Sequence, residues 1–204
     1  MSGTQSNNKR IAKNTVFLYF RMALTMFIGL FSVRIVLNAL GEEDYGIYNV
    51  VGGVVTMLAF LNNSLSSATQ RFLSFELGKG DKKNLHSIFC NSMTLYIGVC
   101  VILLVLAETL GLWFINNKLV IPDERMVAAN WIYQFSIISF LCTILSSPFN
   151  AAIIAREKMG VYAYVSIAES LLKLALIYSI LALGGDKLII YGFFIMLLSV
   201  SVFV

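Results

Sequence analysis

The chain alternates long apolar runs with short polar punctuation. Uncharged or sparsely charged stretches cover residues 15–40, 45–77, 87–107, 126–155, 159–183 and 188–204, and most charged residues gather between them. A helix needs about 20 mostly apolar residues to cross about 30 Å of hydrocarbon. The pattern therefore predicts an all-α, polytopic membrane protein with about six spans. Residues 1–14 form a basic cytoplasmic N-terminus, and residues 15–204 form one transmembrane lobe. A single helix over 45–77 would be about 50 Å long at 1.5 Å per residue. It must project from the bilayer or bend, and Gly52-Gly53 is the expected bend. The last run holds 17 residues after Lys187 with no polar anchor behind it, which predicts a truncated or split chain.

Composition agrees with the pattern. The chain is 58% hydrophobic and 13% charged, against about 25% charge in ordinary soluble domains. A net charge of +4 is too small to point to nucleic acid. Lys and Arg counts in short loops set orientation. One side carries Lys9, Arg10, Lys13, Lys79, Lys82, Lys83, Arg156 and Lys158; the other carries Lys118, Arg125 and Lys187. The richer side is assigned to the cytoplasm, which places both termini inside and Glu42-Glu43-Asp44 outside. The run from Thr15 is too long for a signal-peptide core of about 7–15 residues, so it reads as a retained span. Trp113 is expected at an interface.

Catalytic equipment is missing from the pattern. Cys90, Cys100 and Cys142 lie in apolar runs without CxxC spacing and are expected to be buried, with neither disulfide nor metal role. His86, the single histidine, sits in a basic loop. No nucleophile–base pairing or phosphate-cradling glycine loop appears, so no enzyme activity, cofactor or metal is assigned.

The candidate chemistry lies in polar groups inside the spans, where a charge costs about 2.5–3.5 kcal/mol near the centre on insertion scales and usually faces a cavity. Arg21 and Arg34 interrupt the first span 13 residues apart, about 140° around an ideal helix, so a straight helix cannot aim both at one cavity. Arg71 lies in the second span. Snorkelling to headgroups is the structural alternative and suits Arg34 and Arg71 better than Arg21. Glu169 and Lys173, four residues apart in the fifth span, are expected to pair; as a functional alternative, the carboxylate takes up a proton or cation during transport. Ser136, Ser139, Thr143, Ser146 or Ser147, and Asn150 form one stripe on the fourth span. Asn63, Ser66 or Ser67, and Gln70 form another on the second. Such residues often serve helix packing alone; together the two stripes also suit a shared hydrophilic lining, and Pro148 suits a hinge. Within Ser64–Asp81, the part up to Gln70 reads as lining. Arg71 onward reads as the cytoplasmic exit of the span.

Four segments in order, NKRIAKNTVFLYFRM (8–22), LGEEDYGIYNVVGG (40–53), SSATQRFLSFELGKGD (66–81) and SSPFNAAIIAREKMGVYAYVSIAESLLKL (146–174), resemble the N-terminal half of bacterial polysaccharide exporters. These are the Wzx-type O-antigen and oligosaccharide flippases of the multidrug/oligosaccharidyl-lipid/polysaccharide exporter superfamily. The resemblance implies a two-lobe, 12- to 14-span inner-membrane transporter. Such a protein moves undecaprenyl-pyrophosphate-linked oligosaccharide to the periplasmic leaflet by alternating access, alongside polysaccharide polymerase and chain-length proteins. It nominates Arg21, Arg34 and Arg71 for the pyrophosphate, because a guanidinium forks onto phosphate oxygens. Asn63, Gln70 and Asn150 join them as substrate-lining candidates, with Glu169 and Lys173 as ion-coupling candidates. The chain departs from the family by ending near its sixth span. A drug or cation exporter of the same superfamily and a non-transporting scaffold or half-transporter are the alternatives.

Overall fold

The computed structural model describes the backbone of residues 2–57, 59–182 and 184–203, and side chains except those of residues 1–11, 13, 58, 182, 183 and 204. Lys9, Arg10 and Lys13, and the expected span ends at Leu183 and Val204, thus lie outside the residues or side chains described. Eight α-helices follow in order: α1 (Ser2–Leu40), α2 (Glu42–Thr56), α3 (Ala59–Lys79), α4 (Lys82–Leu106), α5 (Leu112–Lys118), α6 (Met126–Ala155), α7 (Met159–Ala182) and α8 (Lys187–Phe203). Among the described residues there is no strand. The all-α polytopic membrane fold stands. Four continuous helical segments are long and apolar enough to cross a bilayer, the α2–α3 pair makes a fifth candidate, and α8 is apolar but 17 residues long.

The helix limits depart from the sequence pattern where capping chemistry intervenes. Helix α1 begins well before Thr15. Glu42, Glu43 and Asp44 are the first turn of α2 rather than a loop, because acidic side chains suit the positive end of a helix. Gly41, at φ 86°, makes the turn before it. Lys82, Lys83 and His86 likewise open α4, five residues before the expected start. Asp81 explains this. Its carboxylate accepts hydrogen bonds from the backbone N–H groups of Lys83 (3.0 Å) and Asn84 (3.1 Å), an N-cap strong enough to extend the helix into a basic stretch. Gly80, at φ 76°, closes α3 by donating its N–H to the Glu76 carbonyl (3.1 Å).

The predicted bend in the second span exists, but not at Gly52-Gly53. Both glycines are helical, and α2 and α3 diverge by 46° beyond Thr56. The Thr56 hydroxyl donates to the Gly53 carbonyl at 2.9 Å, and the Met57 N–H reaches the same oxygen at 3.1 Å. Thr back-bonding of this kind bends helices. Pro148, a candidate hinge, lies inside α6, which runs unbroken to Ala155.

Helix α6 is the axle, packing against α2, α3, α4, α5, α7 and α8, while α1 lies chiefly on α7. The largest apolar core gathers Ile47, Val51, Val55, Ile115, Ala129, Ile132, Tyr133 and Leu188 near one end of the bundle. At that end Arg125 reaches Asp44 of α2 (Nε–Oδ1 3.2 Å) and Asp186 before α8 (Nη1–Oδ2 3.1 Å), clasping three connections. At the opposite end the Asn14 amide donates to the Glu157 carbonyl (3.3 Å), bringing α1 to the α6–α7 turn. Asp44, Arg125 and Asp186 thus lie at one end of the bundle, and Asn14 and Glu157 at the other. Trp113 of α5 is exposed with Lys118 over its ring, 5.5 Å from the centroid.

Between α4 and α5 the chain winds through a π-turn, Ala107–Gly111. Tyr133 donates its hydroxyl to the Ala107 carbonyl (2.8 Å), and Gln134 donates to the Glu108 carboxylate (3.2 Å). The Ala107 carbonyl also accepts the Leu112 N–H, the wide i to i+5 bond of this turn, so the tyrosine hydroxyl takes its second lone pair. A Cβ on Gly111 would overlap the Tyr133 hydroxyl. Gly111→Ala is therefore expected to destabilise the detergent-solubilised protein by about 1–3 kcal/mol through overpacking. In a Tyr133→Phe background the same change should cost less, and a thermal-unfolding double-mutant cycle showing strict additivity would reject the steric account. Arg125→Gln should speed amide hydrogen exchange across 41–45 and 184–187, with Lys118→Gln leaving both segments unchanged.

Candidate functional site

Inside lipid a polar side chain needs a partner, and most hydroxyls here find one on their own helix. Thr143 donates to the Ser139 carbonyl (2.9 Å), Ser146 to Cys142 (2.8 Å), Ser147 to Thr143 (3.1 Å) and Ser170 to Ser166 (2.8 Å). Thr143 and Ser146 thus present oxygen lone pairs, whereas the buried Ser139 hydroxyl has no hydrogen-bond partner. Ser136, Ser139 and Thr143 line a cavity of about 210 Å³ with Tyr48, Gly52 and Thr56 of α2 and Gly192 of α8. Farther along the stripe, Ser147 is a packing residue: its hydroxyl donates to Asn62 Oδ1 of α3 at 2.8 Å.

That bond shows how α3 is turned. Asn62, Thr69, Leu73 and Glu76 lie on the covered side, with Thr69, Leu73 and Glu76 buried. The expected lining residues point elsewhere. Asn63, Ser64, Ser67, Arg71 and Ser74 are exposed and Gln70 is half-buried. At steps of three and four they form one polar face that nothing else in the described chain covers. The stripe is real, but it does not face the α6 stripe; the contact residue is Asn62, one position away. Asn150 is half-buried on α6.

The arginines are not brought together. Arg21 is half-buried on α1 with its guanidinium over the Tyr162 ring of α7, 4.7 Å from the centroid, and its Nε is buried without a hydrogen-bond partner. Arg34, 13 residues along the same helix, lies about 20 Å farther along the axis. It is exposed, as is Arg71, and neither has a carboxylate partner among the described residues.

Glu169 and Lys173 do not close the expected ion pair. Among the described residues no Lys–carboxylate contact within 4.0 Å joins them. Glu169 remains exposed on α7, while Lys173 turns into a second cavity, of about 300 Å³. Its wall carries Thr25 and Ser32 of α1, Tyr45 and Tyr48 of α2, Ser170 of α7 and Tyr191 of α8. Lys173 is the charged member of this wall, and the buried Ser32 hydroxyl has no hydrogen-bond partner. The edge-on contact of Tyr48 and Tyr191 (4.8 Å between centroids) separates this cavity from the first, since Tyr48 lines both. Such a wall can hold an anion or ordered water; it holds no nucleophile with a base.

Sequence reasoning passed over this cavity. Its signal was present as Thr25, Gly29 and Ser32 on α1 and Ser166, Ser170 and Lys173 on α7, each at helical spacing. Cys90 also departs from expectation. It is exposed on α4, 3.6 Å from His86 Nε2, whereas Cys100 is buried and Cys142 half-buried. Among the described residues no three His, Cys, Asp or Glu side chains gather as a metal site.

Comparison with known proteins adds one match. No curated protein and no solved structure matches the chain. The MatE family model matches residues 18–179, from the first turns of the α1 span to the end region of α7. That stretch covers most of the chain and includes both cavities' α1, α2, α6 and α7 walls, so the chain belongs to the MatE family, within the multidrug/oligosaccharidyl-lipid/polysaccharide exporter superfamily of membrane transporters.

Proposed function

We propose that this transporter moves an anionic, lipid-linked oligosaccharide, of the undecaprenyl-pyrophosphate class, from the cytoplasmic to the periplasmic leaflet of the bacterial inner membrane by alternating access. The observation that carries this reading is the uncovered polar face of α3, with Arg71 among Asn63, Ser67 and Gln70. Lipid tails do not accommodate such a face, so it borders water or protein. Its charge is positive, and a guanidinium suits a diphosphate that is anionic and passes headgroup-first through a polar route. Arg71 lies eight residues, about 12 Å, before the end of α3, which places it near the inner mouth. The richer set of Lys and Arg at that end supports a cytoplasmic assignment and an N-terminus inside.

Arg21 and Arg34 lie about 20 Å apart along α1 and cannot grip one diphosphate together. They serve successive positions along a route instead, with Arg71 taking the first contact. In a strain that depends on this protein, Arg71→Ala is expected to lower surface polysaccharide about tenfold or more at unchanged membrane level. That is the loss expected for one charge-assisted hydrogen bond worth about 1.5–3 kcal/mol. Arg71→Lys should retain part of the activity, because the charge stays and the fork is lost. Wild-type polysaccharide in both Arg71→Ala and Arg21→Ala would remove the arginines from the mechanism.

A second reading, a lipophilic-cation exporter, is favoured by one observation: Glu169 is exposed within its span and unpaired with Lys173. On that reading, Glu169→Gln abolishes efflux of a fluorescent lipophilic cation from cells, whereas Arg71→Ala leaves it intact. The flippase reading expects no such efflux from the wild-type protein.

A further inference from the structure

Apart from both intramembrane cavities, a groove of about 800 Å³ opens where α3, α4, α6 and α7 meet at the Arg156 end of the bundle. That size lies in the range of pockets that hold small organic ligands, about 300–1,000 Å³. Its two kinds of wall are segregated. The floor is apolar, built from Leu73, Phe89, Phe149 and Ile153, with the two phenylalanine rings edge to face at 5.5 Å. The rim is cationic: Lys82 and His86 come from the first turns of α4, and Arg156 and Lys158 from the α6–α7 turn.

No carboxylate lines the groove. Of the nearby acids, Glu76 meets Lys79 (3.4 Å), Asp81 caps the start of α4, and Glu157, between Arg156 and Lys158, is not part of the lining. The three rim residues other than His86 are formally charged, all four are exposed, and they come from two separate chain segments. Packing does not require that convergence, since exposed lysines are solvated equally well when dispersed.

We propose that this groove binds one anionic glycerophospholipid, with its phosphate on the Lys82–His86–Arg156–Lys158 rim and an acyl chain along the Phe89–Phe149 floor. Basic pockets between membrane helices are suited to such headgroups. The charge complementarity favours an anion, and the apolar floor favours an amphiphile over free phosphate, which engages the rim alone. The site is structural or regulatory and independent of what the transporter carries, so it stands or falls separately from the flippase reading.

The test uses the whole chain in detergent, titrated with phosphatidylglycerol, phosphatidylcholine or inorganic phosphate and read by native mass spectrometry. Wild-type protein is expected to bind phosphatidylglycerol about tenfold or more tightly than phosphatidylcholine, and equimolar phosphate should not displace it. Arg156→Gln/Lys158→Gln should remove that preference, Arg156→Lys/Lys158→Arg should keep it, and Lys118→Gln at the other end should leave it unchanged. If the first variant does not yield monodisperse protein, Lys82→Gln/His86→Gln carries the same expectation. Equal affinity for the two lipids, full displacement by phosphate, or undiminished preference in the neutralised rim variant that folds would each overturn the proposal.

Discussion

Everything in this fold answers to the scarcity of hydrogen-bond partners inside hydrocarbon. Apolar side chains gain little from leaving lipid for another helix, so close packing and polar contacts must hold the bundle together. Hydroxyls that need no distant partner bond backward to their own helix, as Thr143, Ser146 and Ser170 do. The few that cross between helices mark where the bundle is joined: Ser147 to Asn62, and Tyr133 to the Ala107 carbonyl. What remains after both kinds are removed is the residue set that function can use. It comprises the open face of α3, Lys173 with its hydroxyl-bearing wall, and the unpaired Nε of Arg21.

This sorting separates a structural half of the molecule from a working half. The main apolar core lies toward the Arg125 end, where α2, α5, α6 and α8 converge and the π-turn seats Tyr133. Toward the Arg156 end the helices part around a large groove.

Much of the fold was legible in the sequence because hydropathy counts residues and membrane spans are set by length. Met126–Ala155 has the same limits in both. The misplaced limits share one cause. Asp81, Gly80 and the Glu42–Asp44 run are capping signals, and a charge count reads them as loops. The site was legible as residue types and not as directions. The α3 stripe was correct in composition, yet the α3 residue that meets Ser147 of α6 is Asn62 rather than Asn63, since a 100° step decides which neighbour is met. Glu169 and Lys173 had the spacing of a pair, but Lys173 turns toward a wall whose Thr25, Ser32, Tyr45 and Tyr48 come from α1 and α2, more than a hundred residues away in the chain. No local pattern contains that information.

The Arg125 clasp has a consequence of a different kind. It joins one guanidinium to the buried Asp44 and to the exposed Asp186, and dissolved ions weaken chiefly the second of these attractions. The opposite end has a neutral amide-to-carbonyl bond between Asn14 and Glu157, which ions scarcely touch. The two ends therefore experience different surroundings as different instructions. A rise in ionic strength therefore weakens the Arg125–Asp186 arm of the clasp more than it weakens the Asn14–Glu157 contact at the other end of the bundle.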